Sequence, residues 1–446
     1  MHPRLVRHLV LPIHERLCGR DTVARLAALE ASQWWSGERL GALQTEKLRA
    51  LLRRAYDRSP FYRRRMDDAG VNPDRVTLET LRRMPRLSKD EIAENVKDML
   101  DPTVPGGLHR CSTGGSTGSP LIFWIDRPRQ AADQAGRART RRWFGIDLGE
   151  RELYLWGSPV EHSMQDWLKG VRDHVTNHRL LNAFRLTPKR MTRYLTEIRR
   201  FDPVHLFGYP SSIATLVRHA RTIGKPVQTP SLKCVFTTGE VLHPSDRGVI
   251  EESVAVPIAD GYGSREAGFV AHQCPEGSYH VTMESLIVEL LDASGRPVEA
   301  GKSGEVTITH LDALGMPFIR YQTGDIARRS AGVCRCGRGL ETLERIEGRR
   351  TDMLRTQDGG YAHALSAIYV LRDEPAVAQF KVVQRKDLNL DVYVVERKRL
   401  DPMRRRHAQS LLASQLGKSI EVRINVVSRI PPDPSGKHRY VISEAP

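Results

Sequence analysis

The sequence predicts an α/β protein made of a large, multi-sheet amino-terminal domain and a small α+β carboxy-terminal domain. At 446 residues the chain is longer than one ordinary domain. After about residue 108, short β-branched or aromatic runs alternate with helical windows, the pattern of a layered α/β unit. A strand-and-turn pattern over residues 286–327 then gives way to a shorter tail of strands and one helix. We therefore expect domains over residues 1–347 and 348–446.

The first part of the chain, about residues 1–86, predicts a helical preface to the large domain. It is rich in Leu, Arg and Glu, and residues 47–68 carry apolar side chains at a spacing near 3.6. Residues 1–17 combine basic and apolar positions, but charges interrupt every apolar run and no small-residue cleavage site follows. We expect helices here and no secretory signal.

The alternating region and the tail contain the predicted strands. In the alternating region they cover residues 121–125, 152–157, 205–209 and 233–240. In the tail we expect strands near residues 380–384, 390–395 and 421–428, with a helix over about 402–416. Strands that alternate with helices predict that much of the large sheet is parallel.

Composition and charge exclude some classes of protein. The chain is 40% hydrophobic and 27% charged, with no apolar run near the ~18 residues needed for a transmembrane helix. The net charge of +16 fits either solvated Arg-rich helices or a surface that attracts phosphates or lipid headgroups. A nucleic-acid-binding module or a basic groove lined with aromatic residues is missing from the sequence. The six cysteines do not form a secreted disulfide framework, so we expect a reducing, cytoplasmic location.

The segment CSTGGSTGSP, residues 111–120, is a candidate phosphate-binding loop. Glycines let backbone N–H groups approach a ligand closely, and Ser and Thr hydroxyls add hydrogen-bond donors. A flexible Ser/Gly turn is the alternative, because the loop lacks the G-K-[ST] ending of a Walker motif. The loop therefore indicates a polyphosphate site only together with other motifs.

Those other motifs follow in a fixed order. They are CVFTTGE at 234–240, DGYGSRE at 260–266, YQTGD at 321–325, GRRTD at 348–352 and PPDPSGKHR at 431–439. With the Ser/Gly loop, the set resembles the adenylate-forming superfamily, in the phenylacetate–CoA ligase-like branch that includes CapK-type proteins. The resemblance extends over nearly the whole chain. It implies an adenylate-forming amino-terminal domain and a mobile carboxy-terminal domain.

The resemblance implies an enzyme, an AMP-forming carboxylate ligase of the acid–thiol type. Such an enzyme activates a carboxylic acid with ATP, releases pyrophosphate and transfers the acyl group, with CoA as the expected acceptor. Attack of a carboxylate on the α-phosphate brings anions together, so the site needs phosphate donors, a divalent cation and a mobile positive charge. An amine, a hydroxyl or a carrier-protein thiol is the alternative acceptor. The acid and the oligomeric state stay open, a dimer included.

By resemblance, the motifs supply the nucleotide site. Tyr262 packs on adenine, and Glu266 helps to hold Mg²⁺, which prefers oxygen ligands. Asp325 accepts hydrogen bonds from the ribose hydroxyls, Arg349 lies beside ribose and phosphate, and Lys437 reaches the reacting oxygens. Lys437, Glu266 and Arg349 form the expected catalytic set. The phosphate loop comprises Ser112, Thr113, Gly114, Gly115, Ser116, Thr117 and Gly118, and the adenine side is completed by Thr238, Gly239, Glu240 and Gly263.

Each match has another interpretation when it is taken singly. Tyr262 can be a core aromatic residue and Glu266 a surface carboxylate; a noncatalytic scaffold of this fold, however, would be expected to lose Glu266 or Lys437, and both are present. The family's order and spacing favour the enzyme. The segment FGYPSS at 207–212 lies where the family builds part of its acyl pocket, so Tyr209 and Pro210 are expected to face the acid.

The start of the carboxy-terminal domain departs from the phenylacetate–CoA ligase pattern. Those ligases typically have consecutive acidic residues after the GR motif, whereas this chain has Thr351 and then Asp352, and its loop at 357–365 differs. The motifs of the adenylation half-reaction are present in the sequence, whereas CoA as acceptor is what the resemblance alone implies. The resemblance makes Thr351 and Asp352 the hinge about which the domain rotates and withdraws Lys437 after adenylation.

A second group of residues has the composition of a zinc site. Cys274, His280, Cys334 and Cys336 offer three thiolates and one imidazole, a closed tetrahedral set with no position left for water. Such Cys/His clusters occur in this branch of the superfamily. The alternative is ordinary cysteines in turns, since C-x-C is tighter than the usual zinc-knuckle spacing, and His272 is a competing ligand. We expect structural zinc.

Overall fold

A computed structural model describes most of the chain, and the described residues form two compact units. The description covers residues 1–112, 121–156, 173, 175–183, 186–349, 353–355, 357, 361–363, 370–371, 374–417, 419–431 and 441–445. The first unit takes its described residues from Met1–Cys111, Ile122–Thr323 and Ala327–Ile346, and the second from Ser112–Leu121, Gly324–Ile326 and Glu347–Pro446. The domain boundary between residues 347 and 348 stays a prediction.

The amino-terminal preface is helical, and its helices continue beyond residue 86. Ser36, Ser59 and Ser88 each accept a backbone N–H in the first turn of the helix that follows, which satisfies an otherwise unpaired donor. The buried Tyr62 hydroxyl donates to the carbonyl of Pro317 at 2.6 Å and so fixes the preface within the first unit. The helices are α1 (Pro3–Leu5), a π-helix (Val6–Val10), α2 (Leu11–Leu17), α3 (Thr22–Ser32), α4 (Gly37–Arg58), α5 (Pro60–Ala69), α6 (Leu78–Leu81) and α7 (Lys89–Met99).

After the preface, a small sheet and a large sheet form the rest of the first unit. The small sheet pairs β1 (Leu108–Ser112) with β2 (Ile122–Asp126). The strands of the large sheet are β3 (Glu152–Trp156), β4 (His178–Asn182), β5 (His205–Gly208), β6 (Cys234–Thr238), β7 (Ile258–Ser264), β8 (Gly268–Gln273), β9 (Tyr279–Val281), β10 (Leu286–Leu291), β11 (Ser303–His310), β12 (Tyr321–Arg329) and β13 (Thr342–Arg349). Within the described part of the chain their order is β10-β11-β12-β13-β9-β8-β7-β6-β5-β3-β4.

One half of the large sheet is parallel, as the alternating pattern predicts. Strands β3 to β7 run parallel to their neighbours, and β7 turns back into the antiparallel β8. The accompanying helices are α8 (Arg127–Arg142), α9 (Pro188–Phe201), α10 (Pro210–Thr222) and α11 (Pro244–Glu251). Leu153, Leu206 and Val235 belong to the buried core of this half. The carboxyl ends of the parallel strands share one edge, where open α/β sheets bind ligands.

The second unit is α+β. Strand β14 (Met353–Arg355) pairs with β15 (Tyr361–His363). A four-stranded sheet has the order β18-β17-β16-β19, with β16 (Val377–Gln384), β17 (Leu390–Glu396), β18 (Val422–Val426) and β19 (Val441–Ser443). Helix α12 (Pro402–Leu416) buries Leu412 in one core with Phe380 and Val392. The predicted α/β fold with a smaller α+β unit is confirmed. Among the described residues, the search for a helix long and apolar enough to cross a bilayer finds none.

Candidate functional site

The turn after β6 forms part of the carboxyl edge of the parallel strands. The hydroxyl of Thr238 donates to the carbonyl of Gly261 at 2.7 Å, which ties this turn to β7. Gly239 has φ +80°, and a Cβ there would lie 3.0 Å from Tyr209 Cε1 and 3.3 Å from Trp156 Cη2. A left-handed backbone and two close aromatic rings therefore both favour glycine at this position.

Those two rings form an aromatic wall, which we define as Trp156 and Tyr209. Their centroids lie 4.0 Å apart with an interplanar angle of 17°. Tyr209 is half-buried, and burial together with nearby Glu240 raises the pKa of its phenol. Pro210 is buried as the first residue of α10. That Tyr209 and Pro210 face the acid stays a prediction. Sequence reasoning missed Trp156, whose signal is its place at the end of a parallel strand.

The β7–β8 turn presents the predicted adenine and magnesium residues. Tyr262 is 8% exposed, and its hydroxyl lies 3.4 Å from Thr323 Oγ1. A Cβ on Gly263 would lie 2.4 Å from the carbonyl oxygen of Gly268, so a side chain cannot be placed there without moving the backbone. Glu266 is 5% exposed, and its Oε1 lies 3.5 Å from Lys89 Nζ. Sequence reasoning missed Lys89, which begins α7 and is far from this motif in the chain.

A buried carboxyl supports the β7 strand beside Tyr262. Asp260 accepts hydrogen bonds from the Thr237 hydroxyl at 2.5 Å and from the Tyr279 hydroxyl at 2.6 Å. Burial raises the pKa of Asp260 to about 6, against the opposing effect of these hydrogen bonds. The two hydroxyls connect β7 with β6 and β9, so Asp260 orders the strands from which the candidate site extends.

The remaining predicted nucleotide residues are only partly described. Asp325 lies half-buried in β12, and Ser112 is exposed in β1; both belong to the second unit. Glu240 is exposed and accepts a hydrogen bond from the Ser211 backbone. Arg349 ends β13, and its side chain lies outside the description. Thr113, Gly114, Gly115, Ser116, Thr117, Gly118, Thr351, Asp352 and Lys437 lie outside the described residues, so their roles stay predictions.

The structure brings the four predicted zinc ligands together. One donor atom from each of Cys274, His280, Cys334 and Cys336 lies within 4.8 Å of all the others. The sulfurs of Cys274 and Cys334 are 3.6 Å apart, and Cys336 Sγ is 3.2 Å from His280 Nε2. A tetrahedral ion with Zn–S bonds of ~2.3 Å has sulfur–sulfur separations of about 3.8 Å, so the set fits zinc.

The protonation states in this cluster explain what a cation would contribute. Burial raises the pKa of Cys274 to about 12 and lowers the pKa of His280 to about 4. His280 is therefore a neutral imidazole that can bind metal, whereas Cys274 needs a nearby positive charge to lose its proton. The competing ligand His272 lies outside the cluster, and its Nδ1 is 2.8 Å from the carbonyl oxygen of Gln273.

Comparisons with known proteins find two matching families. The family described as AMP-binding enzyme matches residues 111–311. The family described as CapK C-terminal domain matches residues 354–444. Together these matches include the Ser/Gly loop, the β7–β8 turn and most of the second unit.

Curated relatives and a solved structure match over most of their length. A phenylacetate-coenzyme A ligase of Thermus thermophilus is 26% identical over 389 residues, which cover 85% of this chain and 86% of the relative. Protein CapK of Staphylococcus aureus is 21% identical over 90% of this chain and 88% of its own. The crystal structure of 2-hydroxyisobutyryl-CoA ligase in its postadenylation state has a TM-score of 0.71 at 20% identity, covering 93% of this chain and 91% of that one. The chain therefore has the fold of that structure.

Proposed function

We propose that the chain belongs to the adenylate-forming superfamily, in the branch of phenylacetate–CoA ligases and CapK, and that it activates a carboxylic acid with ATP and transfers the acyl group to CoA. A carboxylate oxygen attacks the α-phosphorus, the bond to the bridging oxygen breaks, and pyrophosphate leaves. The CoA sulfur then attacks the acyl carbon, AMP leaves, and the thiol proton is released. The match of the AMP-binding family to residues 111–311 carries the proposal.

In this proposal each residue has a chemical task in adenylation. Tyr262 packs on adenine, and the hydroxyl and N–H donors of the Ser/Gly loop bind the phosphates. Glu266 holds Mg²⁺, which when bound neutralises phosphate charge. Asp325 accepts hydrogen bonds from the ribose, and Arg349 lies beside the ribose and phosphate. The side chain that stabilises charge on the α-phosphate is Lys437, an electrostatic contribution of the kind that often dominates catalysis.

The aromatic wall gives the acid a place at the same edge of the sheet. Trp156 and Tyr209 present stacked rings that pack closely beside Gly239, where a Cβ would crowd both of them. Flat apolar surfaces of this kind bind apolar acyl groups by excluding water. The wall supports an acid with an apolar body, and it lies beside the turn that the proposal gives to the nucleotide.

We also propose that the Cys/His cluster binds zinc and that this ion has a structural role. The ligands come from strand β9 and from the loops after β8 and β12 in the first unit, and together they would fill all four positions of a tetrahedron. A closed set leaves no position for water or substrate. We assign this ion to holding together the loops that follow β8 and β12.

Two kinds of acyl acceptor have support. The curated ligases that match the chain favour CoA. The altered loop at 357–365 favours an amine, a hydroxyl or a carrier-protein thiol. The basic surface attracts both CoA phosphates and an acidic carrier protein, so charge does not separate them.

Exchange of labelled pyrophosphate into ATP, across a panel of carboxylic acids, tests the proposal. We expect one chemical class of acid to support exchange, and with that acid CoA should accelerate AMP release severalfold and yield an acyl-thioester. An adenylate that accumulates and is not discharged by CoA would end the CoA assignment and leave adenylation standing. Absence of exchange with every acid, from folded enzyme that contains Mg²⁺, would overturn the proposal.

A further inference from the structure

A buried arginine on α8 holds the backbone that carries Glu266. Arg129 is 1% exposed, and its Nη2 donates to the carbonyl oxygens of Arg265 at 2.7 Å and Glu266 at 2.8 Å. These carbonyls belong to the turn between β7 and β8. The guanidinium therefore fixes the peptide planes on both sides of the residue that the proposed function gives to Mg²⁺.

One helical turn further along α8, a carboxylate holds the other end of the same turn. Asp133 Oδ1 accepts the backbone N–H of Phe269 at 2.8 Å and lies 3.5 Å from His310 Nε2. The hydrogen bond to His310 and the nearby Arg129 hold the pKa of Asp133 well below its usual range, although burial opposes this. Residues at i and i+4 lie on one face of a helix, so both side chains reach the turn from α8.

The close approach of α8 to this turn requires a glycine. Gly268 has φ +83°, and a Cβ there would lie only 2.6 Å from Asp133 Oδ1. Helix α8 is itself anchored, because Asp126 accepts the Arg129 N–H at its first turn and the N–H groups of Leu314 and Gly315. The turn thus rests on a rigid support.

The hydrogen bonding of Arg129 indicates a role beyond stability. Among the described residues, its Nε and Nη1 have no hydrogen-bond partner, although Asp133 lies 3.9 Å away as an ion pair. Unpaired donors on a buried charge are costly, so a well-packed apolar residue would stabilise the fold at least as well. What an apolar residue cannot do is donate to two carbonyls of the turn.

We propose that Arg129 and Asp133 are positioning residues that clamp the β7–β8 turn and thereby set the Glu266 carboxylate for its divalent cation. The inference rests on the proposed function of Glu266. Groups that orient a ligand typically change metal affinity by about 10–100-fold when they are removed. Loss of the clamp should therefore weaken cation binding before it affects turnover at saturating cation.

Arg129→Lys tests the clamp, with Arg139→Lys as the matched control. Both arginines lie on α8 and are 1% exposed, but Arg139 donates to the Leu29 carbonyl and to Glu284, away from the turn. Affinity for Mn²⁺ in the presence of ATP is measured by electron paramagnetic resonance. Exchange activity against Mg²⁺ concentration and thermal unfolding are measured beside it.

We expect Arg129→Lys to weaken Mn²⁺·ATP binding and raise the Mg²⁺ requirement about tenfold, with near wild-type exchange at saturating Mg²⁺. Arg139→Lys should lower only the melting temperature. Equal cation affinity in the two variants would overturn the clamp. If Arg129→Lys does not fold, Asp133→Ala removes the acceptor for the Phe269 N–H at the other end of the clamp and should show the same shift, and an unshifted affinity overturns it equally. If the wild-type protein binds Mn²⁺·ATP but catalyses no pyrophosphate exchange, the proposed function is wrong. The clamp is then tested by the Mn²⁺ affinities of the variants alone.

Discussion

The Cys/His cluster and the nucleotide site differ in how the chain assembles them. The cluster takes its four donor atoms from strand β9 and two loops of the first unit, and those atoms already lie within 4.8 Å of one another. The residues of the proposed nucleotide site are more dispersed: Tyr262 and Glu266 belong to the first unit, and Ser112 and Asp325 to the second. A closed metal site can be completed by the packing of one unit, whereas a site that admits substrates and releases products must stay open to solvent.

The two sites also differ in what burial does to their chemistry. In the cluster, burial keeps His280 neutral and Cys274 protonated, so binding a dication is coupled to loss of protons. At the proposed nucleotide site, the carboxylate of Glu266 is buried but has Lys89 beside it. A dication bound in the cluster would therefore stabilise it, whereas the chain itself supplies a cation next to Glu266.

Removal of one predicted zinc ligand should produce the largest of the expected effects, a loss of stability. Cys336→Ser should abolish stoichiometric zinc and lower the free energy of unfolding by about 4 kcal/mol, the linkage expected for a site held at ~1,000 times its Kd. Metal analysis and thermal unfolding measure the two quantities. Cys18→Ser, which changes a cysteine outside the cluster, is the control. Unchanged melting and no zinc in the wild-type protein would refute the structural zinc.

Removal of Lys437, the lysine proposed for adenylation, should produce the next largest effect, a slower reaction with unchanged stability. Lys437→Ala should slow pyrophosphate exchange by about 10²–10³-fold, the usual cost of deleting an electrostatic donor to a transition state. Its melting temperature should stay near wild type, in contrast with the zinc variant. Lys398→Ala, an exposed lysine of the second unit, serves as control. Exchange at the wild-type rate in Lys437→Ala would show that another group has this role.

The sequence predicted most of the fold because the signals are local. The parallel half of the sheet followed from apolar runs alternating with helical windows, and α12 was predicted over the residues it occupies, 402–416. Its N-cap, Asp401, and the proline of its first turn are signals that depend only on neighbouring residues. Predicted strand bounds in the tail differ from the observed ones by a few residues, since strand ends depend on pairing partners.

The sequence predicted less of the site because the contacts that complete it are long-range. Lys89 and Arg129 reach Glu266 or its backbone from helices more than a hundred positions earlier in the chain, and no local pattern marks them. His272 and His280 occupy paired positions on β8 and β9, so spacing left both as zinc ligands. The packing of the loop after β12 brings Cys334 and Cys336 to His280 and not to His272, which selects His280 as the predicted ligand.

Substitution in the aromatic wall should give the smallest effect, a change in specificity for the carboxylic acid. This effect should be independent of the Cys/His cluster and of the proposed nucleotide site. Trp156→Ala removes a ring stacked on Tyr209 and enlarges the space beside Gly239. One methylene of substrate in a hydrophobic pocket is worth about 1–3 kcal/mol, so we expect the ratio of kcat/KM for two acids of different size to change by roughly 10–200-fold.

The ratio of kcat/KM should shift toward the larger acid. Zinc content and the Mg²⁺ requirement should stay unchanged, because in the proposed function the aromatic wall contacts neither the Cys/His cluster nor the β7–β8 turn. Pyrophosphate exchange with pairs of acids that differ by one ring or a few methylenes measures it. Trp34→Ala, at a tryptophan 56% exposed in the preface, controls for loss of an indole elsewhere. A uniform fall in kcat/KM for all acids, with a lower melting temperature, would mean that Trp156 only packs the sheet, and the acid would then have to bind elsewhere along the carboxyl edge.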